Sequence, residues 1–215
     1  FTMLVLNVVK FINSSRMISE TPEIFNAVLL IGAVSTLFIG IFAYFQQDLR
    51  RALAYIFCLQ VGFSLISIGL NSEEGKLLLA ASTLSRSVTW LLASVSLAAI
   101  LRYDQSTKLG TIEPRRTPFA YFAFLISVIS LVGYPLLASL PIKLEVLEQL
   151  ALYSRNYVLM VVIGVAGFFL FATKLLFQIF RKLDGTWDVL EPHLERVVLG
   201  LATASLVIFG IFPAQ

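Results

Sequence analysis

Charge is what this sequence has least of. Charged residues make up 13% of the 215 positions, whereas apolar residues make up 58%. A soluble domain of that composition would expose large apolar patches to water, so a soluble fold is excluded. The basic residues cluster in short segments between apolar runs and form no face with interleaved aromatic residues, which argues against nucleic-acid binding. The sequence therefore predicts an integral membrane protein whose main surroundings are the lipid bilayer.

Cysteine and histidine each occur once, at Cys58 and His193. Neither a disulfide framework nor a Cys/His metal cluster can be built from them. We expect Cys58 to be a small buried hydrophobe and His193 to be a polar residue at the membrane interface. Because the sequence offers no cysteine cluster, no haem ligand pair and no nucleotide-binding loop, no cofactor is expected in this chain.

Long apolar runs are abundant. Six approach the length of about twenty residues that crosses a hydrocarbon core, and they predict an all-α, polytopic transmembrane helix bundle. The six predicted spans are Ala27 to Phe45, Ala52 to Leu70, Leu77 to Leu101, Pro118 to Leu140, Val158 to Phe180 and Val197 to Phe212. A partial span, Phe1 to Ile12, is too short to cross. Because the chain begins without Met or a charged signal-peptide start, we interpret Phe1 as a cut point inside a longer polypeptide.

The basic residues between the spans indicate an orientation. Nine lie on one side of the predicted bundle and four on the other, and the richer side is predicted to be cytoplasmic. The nine are Arg50, Arg51, Arg102, Lys108, Arg115, Arg116, Arg181, Lys182 and Arg196, against Lys10, Arg16, Lys76 and Arg155.

Three basic residues fall inside apolar runs, at Arg86, Lys143 and Lys174. Each costs on the order of 2.5 to 3.5 kcal/mol to insert at a helix centre, so each needs a compensating partner. Lys174 lies about two turns from Arg181, and its stem can reach the interface. Arg86 lies near the middle of its span among serine and threonine residues, which can satisfy a guanidinium and line a hydrated cavity. Arginine does not release its proton in a protein, so Arg86 is predicted to be an electrostatic element.

Lys143 follows a segment that predicts a broken helix. Pro135 and Pro141 each remove a backbone donor and clash with the preceding turn. Gly133 and Ser139 further loosen the segment. Unwound backbone at membrane depth is tolerated only where it is buried in protein or lines a wet cavity. Ion transporters build their midplane sites from broken helices with an ionisable residue at the break, and Lys143 fits that pattern.

A second interpretation of Lys143 remains open from the residues alone. The span can end near Leu140, which would make Lys143 an interfacial residue paired with Glu145 or Glu148.

Three segments carry a resemblance to a known family. QQDLRRALAYIFCLQVGFSL, from Gln46 to Leu65, is similar to Q-x-D-I-K-R-x-L-A-Y-S-T-x-S-Q-x-G-Y. LAASTLSRSVTWLLASVS, from Leu79 to Ser96, is similar to H-x-x-T-H-A-x-x-K-A-L-L-F-L-x-S-G-S. SLVGYPLLASLPIK, from Ser130 to Lys143, is similar to S-L-x-G-x-P-P-x-x-G-F-x-x-K. In these motifs the chain resembles the antiporter-like membrane subunits of complex I, the chloroplast and cyanobacterial NAD(P)H dehydrogenases, the membrane-bound hydrogenases and the Mrp antiporters.

The resemblance implies a function and a setting. Family members are much longer, so this chain would be the later part of the family fold with the upstream half missing. It would be a proton-translocating subunit of a complex I type NAD(P)H dehydrogenase, or of a related ion-translocating complex, beside other membrane subunits. Such a subunit of an NAD(P)H:quinone oxidoreductase has no redox centre of its own. The membrane would be a bacterial inner membrane, a thylakoid or a mitochondrial inner membrane.

The resemblance also implies a set of proton-path residues: Lys143, Arg50, Arg86, Ser87 and Thr83. Lys143 falls on the ionisable position of the broken helix, and Arg50 takes the place of the first lysine in D-I-K-R. Thr83 stands where a relay histidine is expected, and Ser87 stands where the central lysine is expected. Arg86 lies one position from that lysine, about 100° around the helix, so the relay is altered.

Because of that alteration, other functions stay open. The chain can be a non-pumping structural or coupling subunit retained for assembly. It can also be an antiporter-like subunit of an inorganic-carbon uptake complex. A stand-alone secondary transporter would instead show a substrate pocket at the membrane midplane.

Overall fold

A computed structural model of the chain describes residues 22–104, 107–134, 139–182 and 189–211. Within those ranges the chain is helical and contains no strand. The predicted partial span Phe1 to Ile12 lies outside the described residues. The helices are α1 (Pro22–Tyr44), α2 (Leu49–Gly69), α3 (Glu73–Tyr103), α4 (Pro118–Val132), α5 (Ser139–Tyr153), α6 (Arg155–Arg181) and α7 (His193–Ile211).

Local sequence signals set where the helices begin. Asp48 is the N-cap of α2, because its Oδ1 accepts a hydrogen bond from the backbone N–H of Arg50 at 2.8 Å. Ser72 caps α3 in the same way, accepting from the backbone N–H of Gly75 at 2.9 Å. Pro118 occupies the start of α4, where its missing N–H needs no partner. These caps fix the entry of each helix into the bundle.

The predicted helix break is present, and the residues predicted to produce it have different roles. Gly133 ends α4 in the left-handed region, with φ at 93°. Pro141 does not break a helix; it is the third residue of α5, where an intrahelical N–H bond is not required. Pro135 lies outside the described residues. Each half-helix has 15 residues, about 22 Å, which is shorter than a hydrocarbon core of about 30 Å.

Three of the described helices, α1, α2 and α6, are long and apolar enough to cross a membrane by themselves. The helix α3 is longer, with 31 residues, but its first half carries Lys76 and Arg86. The number of membrane crossings therefore stays a prediction. The helix α5 is not among the six predicted spans, because the fourth of them ends at Leu140.

The half-helix α4 is at the centre of the bundle. It packs against α2, α3, α5, α6 and α7, and most of its side chains are buried.

Cys58 does not join this core. It is exposed on the outer face of α2, so the expectation of a buried cysteine was wrong. His193 is exposed at the start of α7, as expected for a polar residue at a helix end.

Glycines bring α1 close to its neighbours α2 and α6. A Cβ at Gly164 would lie 2.3 Å from the backbone oxygen of Thr36, and a Cβ at Gly40 would lie 1.9 Å from the backbone oxygen of Gly164. Backbone atoms cannot rotate away as a side chain can, so this contact requires glycine. The α1–α6 interface is therefore a backbone-to-backbone contact of the kind that stabilises membrane helix pairs.

We predict that Gly164→Ala lowers the thermal unfolding midpoint of the detergent-purified protein, because the new methyl group forces α1 and α6 apart. Overpacking of this kind costs about 1 to 3 kcal/mol. Gly200→Ala is the matched control, since nothing lies within 4 Å of a Cβ at Gly200. It should leave the midpoint unchanged or raise it slightly, because alanine favours a helix by about 0.5 to 1 kcal/mol over glycine. Equal effects of the two substitutions would contradict the close packing.

Candidate functional site

Lys143 lies inside the protein at the helix break. Only 5% of the residue is exposed. Its Nζ donates a hydrogen bond to the backbone carbonyl oxygen of Leu131 and lies 5.1 Å from the centre of the Phe63 ring. The stem of the lysine passes Gly133, where a Cβ would stand 2.9 Å from Lys143 Cδ. Gly133 therefore serves the site twice, since its positive φ ends the helix and its missing side chain admits the lysine.

The carbonyl of Leu131 is available because of how α4 ends. The backbone N–H of Tyr134 bonds to the oxygen of Ile129 at 3.2 Å, and the N–H of Gly133 bonds to that of Ser130 at 3.1 Å. This pair of bonds is a Schellman motif, which satisfies two of the four terminal carbonyls. The oxygen of Leu131 comes next in the chain and needs donors from elsewhere. It also lies at the negative end of the α4 dipole, which favours a cation.

Gln60 is the second donor to the same carbonyl. It lies on α2 and is only 2% exposed. Its Nε2 donates to the oxygen of Leu131 at 2.6 Å. A hydrogen bond from α2 and another from α5 thus converge on the end of α4. A carbonyl oxygen has two lone pairs, so it can accept both.

Arg86 reaches the same place from α3. Its Nη1 donates to Ser64 Oγ at 2.7 Å and to the backbone oxygen of Gln60 at 3.3 Å. Ser64 Oγ in turn donates to the oxygen of Gln60 at 2.9 Å. Arg86 is close enough to Lys143 for the two charges to interact electrostatically. Two of the predicted path residues, Arg86 and Lys143, therefore belong to one polar network, which we call the break network: Arg86, Ser64, Gln60, the Leu131 carbonyl and Lys143.

The other three predicted path residues lie apart from the break network. Thr83 Oγ1 donates to the oxygen of Ala80 at 2.6 Å, and Ser87 Oγ donates to the oxygen of Thr83 at 2.7 Å, so both hydroxyl protons are used within α3. Arg50 is exposed in the first turn of α2. It is ten residues from Gln60, which corresponds to about 15 Å along a helix.

The interfacial interpretation of Lys143 is not supported by its surroundings. Glu145 and Glu148 are both exposed, whereas Lys143 is buried. Lys143 takes part in no ion pair with any residue that the structure describes, whereas Arg102 pairs with Glu195 and Arg116 with Glu113. Lys174 is partly exposed on α6, in keeping with a side chain that reaches toward the interface.

A buried carboxylate holds the opposite end of α4. Glu191 precedes α7 and is 1% exposed. Its two oxygens accept the backbone N–H groups of Phe119 at 3.2 Å and Ala120 at 2.8 Å. Burial raises the pKa of the Glu191 carboxyl above its ordinary value, while these N–H bonds and the nearby Arg196 act in the opposite direction. The carboxylate therefore caps the positive end of the α4 dipole from a distant part of the chain.

Sequence reasoning missed Gln60 and Glu191 as site residues, and it gave Gly133 only the role of loosening the segment before Lys143. Gln60 stands in LQVGF, at the glutamine of the S-Q-x-G-Y motif quoted above, and Gly133 stands at the glycine of S-L-x-G. Both positions were therefore visible as motif matches. Glu191 carried no comparable signal, because its partners are about seventy residues away in the chain. No group of three His, Cys, Asp or Glu side chains suited to a metal ion occurs within the ranges that the structure describes.

A family model described as NADH:quinone oxidoreductase/Mrp antiporter, TM, matches residues 1–170. The chain belongs to this family. Because the NADH:quinone oxidoreductase/Mrp antiporter family is transmembrane, the chain is an integral membrane protein, as its composition predicts. The antiporter-like resemblance drawn from the three motifs is confirmed.

The relatives share the family but are much longer. NADH-ubiquinone oxidoreductase chain 5 of Hypocrea jecorina is 27% identical over 218 residues, which cover 98% of this chain and 31% of that protein. The chain thus spans about a third of the length of this curated relative. A chain of the archaeal membrane-bound sulfane sulfur reductase superposes with a TM-score of 0.81 at 18% identity, over 89% of this chain and 40% of that one. A chain of respiratory complex I from Thermus thermophilus, solved with bound aureothin, superposes with a TM-score of 0.70 at 21% identity, over 92% and 45%. The two structures confirm an all-helical antiporter-like fold.

We predict that the stability of the Glu191→Gln variant increases relative to that of the wild type as pH rises. The folded state raises the pKa of the Glu191 carboxyl. Glu191 therefore contributes its full stabilisation below its unfolded-state pKa of about 4.3 and loses it as pH rises through its folded-state pKa. Glutamine keeps one acceptor for the α4 N–H groups and does not titrate. The measurement is the thermal unfolding midpoint of both proteins in detergent from pH 4.5 to 8.

Glu148→Gln is the control, because Glu148 is exposed and its substitution should give a difference that is flat with pH. A flat difference for Glu191→Gln, or one that falls with pH, would show that the sign of the linkage is wrong.

Proposed function

We propose that this chain is part of a proton-translocating, antiporter-like subunit of a multi-subunit membrane complex of the complex I type or a related ion-translocating complex, and that Lys143 is its ionisable site. The observation that carries the proposal is the burial of Lys143 at a helix break, on a carbonyl left over from the end of α4. A buried cation in a membrane protein is costly and is found mainly where it has a function.

The break network gives Lys143 and Arg86 different roles. Arg86 holds a fixed positive charge, because a guanidinium does not release its proton. Lys143 can load and release one. Arrival of a proton at Lys143 places a second positive charge in the network, and repulsion between the two charges favours passing the proton onward. Membership of the family supports this assignment, and the aligned position of Lys143 in the third motif agrees with it.

The proposed proton path toward Lys143 includes three positions at which this chain differs from the family motifs: Thr83, Ser87 and Arg50. Thr83 and Ser87 keep lone pairs that can accept a hydrogen bond from water, although their protons are used within α3. Arg50 places a further positive charge in the first turn of α2. We assign these three to the approach toward Lys143 and assign the loading and release step to Lys143 itself.

We predict that Lys143→Ala lowers proton translocation at least tenfold, because no other side chain of the break network can bind and release a proton. The measurement is proton movement into sealed vesicles that carry the assembled complex, driven by its electron donor. Lys174→Ala is the matched control, since Lys174 is a second lysine within a predicted span but is partly exposed on α6. It should keep at least half of the wild-type rate.

An intact Lys143→Ala complex that translocates protons at the wild-type rate would favour the non-pumping structural or coupling function. Recovery of the complex and its rate of donor oxidation must be measured together with the proton signal, so that failed assembly is not mistaken for lost conduction.

We also predict that substitution of Arg86 lowers proton translocation more than substitution of Ser87 does. Arg86→Gln removes the fixed charge and should lower translocation about tenfold, whereas Arg86→Lys restores a positive charge and should recover most of it. Ser87→Ala should lower translocation only about twofold, because the Ser87 proton already bonds within its own helix and the substitution removes only lone pairs from the approach to Lys143. The same vesicle assay checks all three. A larger loss in Ser87→Ala than in Arg86→Gln would place the conducting route along the Thr83 and Ser87 face of α3.

A further inference from the structure

Gln60 has a side-chain atom that the rest of the break network leaves unused. Its Nε2 donates to the Leu131 carbonyl, and its backbone oxygen accepts from Arg86 and Ser64. Its Oε1 is buried and accepts no hydrogen bond from any residue that the structure describes. Buried polar atoms are nearly always paired with protein or with ordered water, so this oxygen marks a place where a donor is missing.

The orientation of the Gln60 amide is fixed by its partner. The Leu131 carbonyl can only accept, so the Gln60 atom that faces it at 2.6 Å must be the NH₂ group. The Oε1 atom is then directed away from that carbonyl. Exchanging the two amide atoms would bring two acceptors together, which excludes the alternative assignment.

We propose that Gln60 is a positioning residue for Lys143 and that its free Oε1 binds a water molecule that receives the proton from Lys143. This inference rests on the proposed function, because it concerns how the same lysine unloads. In the step, an N–H bond of the ammonium group breaks and an O–H bond forms on the water. The lysine becomes a neutral amine, and the resulting hydronium passes its excess proton to the next water.

Water fits this place better than a metal cation does. The site already holds the charges of Arg86 and Lys143, and a further fixed cation would be repelled by both. A water molecule is neutral, donates the proton that Oε1 lacks, and still has lone pairs for Lys143. The Phe63 ring, which lies 5.1 Å from Lys143 Nζ and one turn along α2 from Gln60, has no atom that accepts a proton. The route for unloading therefore leads past Gln60.

The test compares Gln60→Met and Gln60→Glu in the assembled complex, in vesicles, over a range of pH. Gln60→Met keeps the length of the side chain and removes both polar atoms, so translocation should fall at least tenfold. Gln60→Glu places a carboxylate beside the ammonium and holds the proton there, so the pH of half-maximal translocation should rise by one unit or more. Gln178→Met is the matched control, because Gln178 Oε1 on α6 is likewise buried without a hydrogen-bond partner. It should leave both rate and pH profile unchanged.

The outcomes separate this inference from the proposed function. Loss of translocation in Lys143→Ala, together with a wild-type rate in Gln60→Met, would overturn the role of Gln60 and leave Lys143 in place. Full translocation in Lys143→Ala would overturn both. If Gln60→Met does not assemble, Gln60→Asn decides: it keeps the amide but withdraws it by one methylene, so an assembled complex with at least tenfold lower translocation supports the positioning role, and a wild-type rate overturns it.

Discussion

A single backbone carbonyl, that of Leu131, holds the candidate site together. The Schellman motif at the end of α4 uses the carbonyls of Ile129 and Ser130 and leaves this one without a partner inside the helix. A carbonyl buried away from water must be satisfied, because an unpaired one costs on the order of 1 to 3 kcal/mol. In this chain the donors come from Gln60 and Lys143. The lysine is therefore part of how the helix ends, and its charge lies where the helix dipole is negative.

The same logic applies at the other end of α4. Glu191 presents a carboxylate to the positive end of the dipole, and Lys143 presents an ammonium group to the negative end. The connection between α3 and α4 is also fixed in place. Asp104 Oδ2 accepts a hydrogen bond from the Tyr121 hydroxyl at 2.8 Å and one from the backbone N–H of Glu113 at 3.0 Å. The half-helix at the centre of the bundle is thus held at both ends by charged groups, Glu191 being 71 residues from its partner Ala120 in the chain and Lys143 being 12 residues from Leu131.

Composition and run length were enough to predict the membrane class, most of the helices and the break before Lys143, because those features depend on local apolar length and on local backbone breakers. The weight placed on Pro141 was mistaken. Proline draws attention in a sequence, but Pro141 fits the first turn of α5, and the left-handed Gly133 is what ends α4. The polar partners of Lys143 were out of reach for a different reason. Gln60 is 71 residues from Leu131 in the chain. The partner of Lys143 is a backbone carbonyl, which every residue has, so the residue types in the sequence do not indicate it.

Gly133 carries a consequence for how natural variation in this chain is interpreted. The lysine stem occupies the space that any side chain at position 133 would fill, with Lys143 Cδ 2.9 Å from the position of the missing Cβ. Positions 133 and 143 therefore compete for the same space, and Lys143 can be buried here only because residue 133 is a glycine. A variant such as Gly133→Ser looks conservative, because it alters no charge and adds only a few atoms. In three dimensions it is a variant of the lysine pocket, and it belongs with substitutions of Lys143 when the effects of such variants are compared.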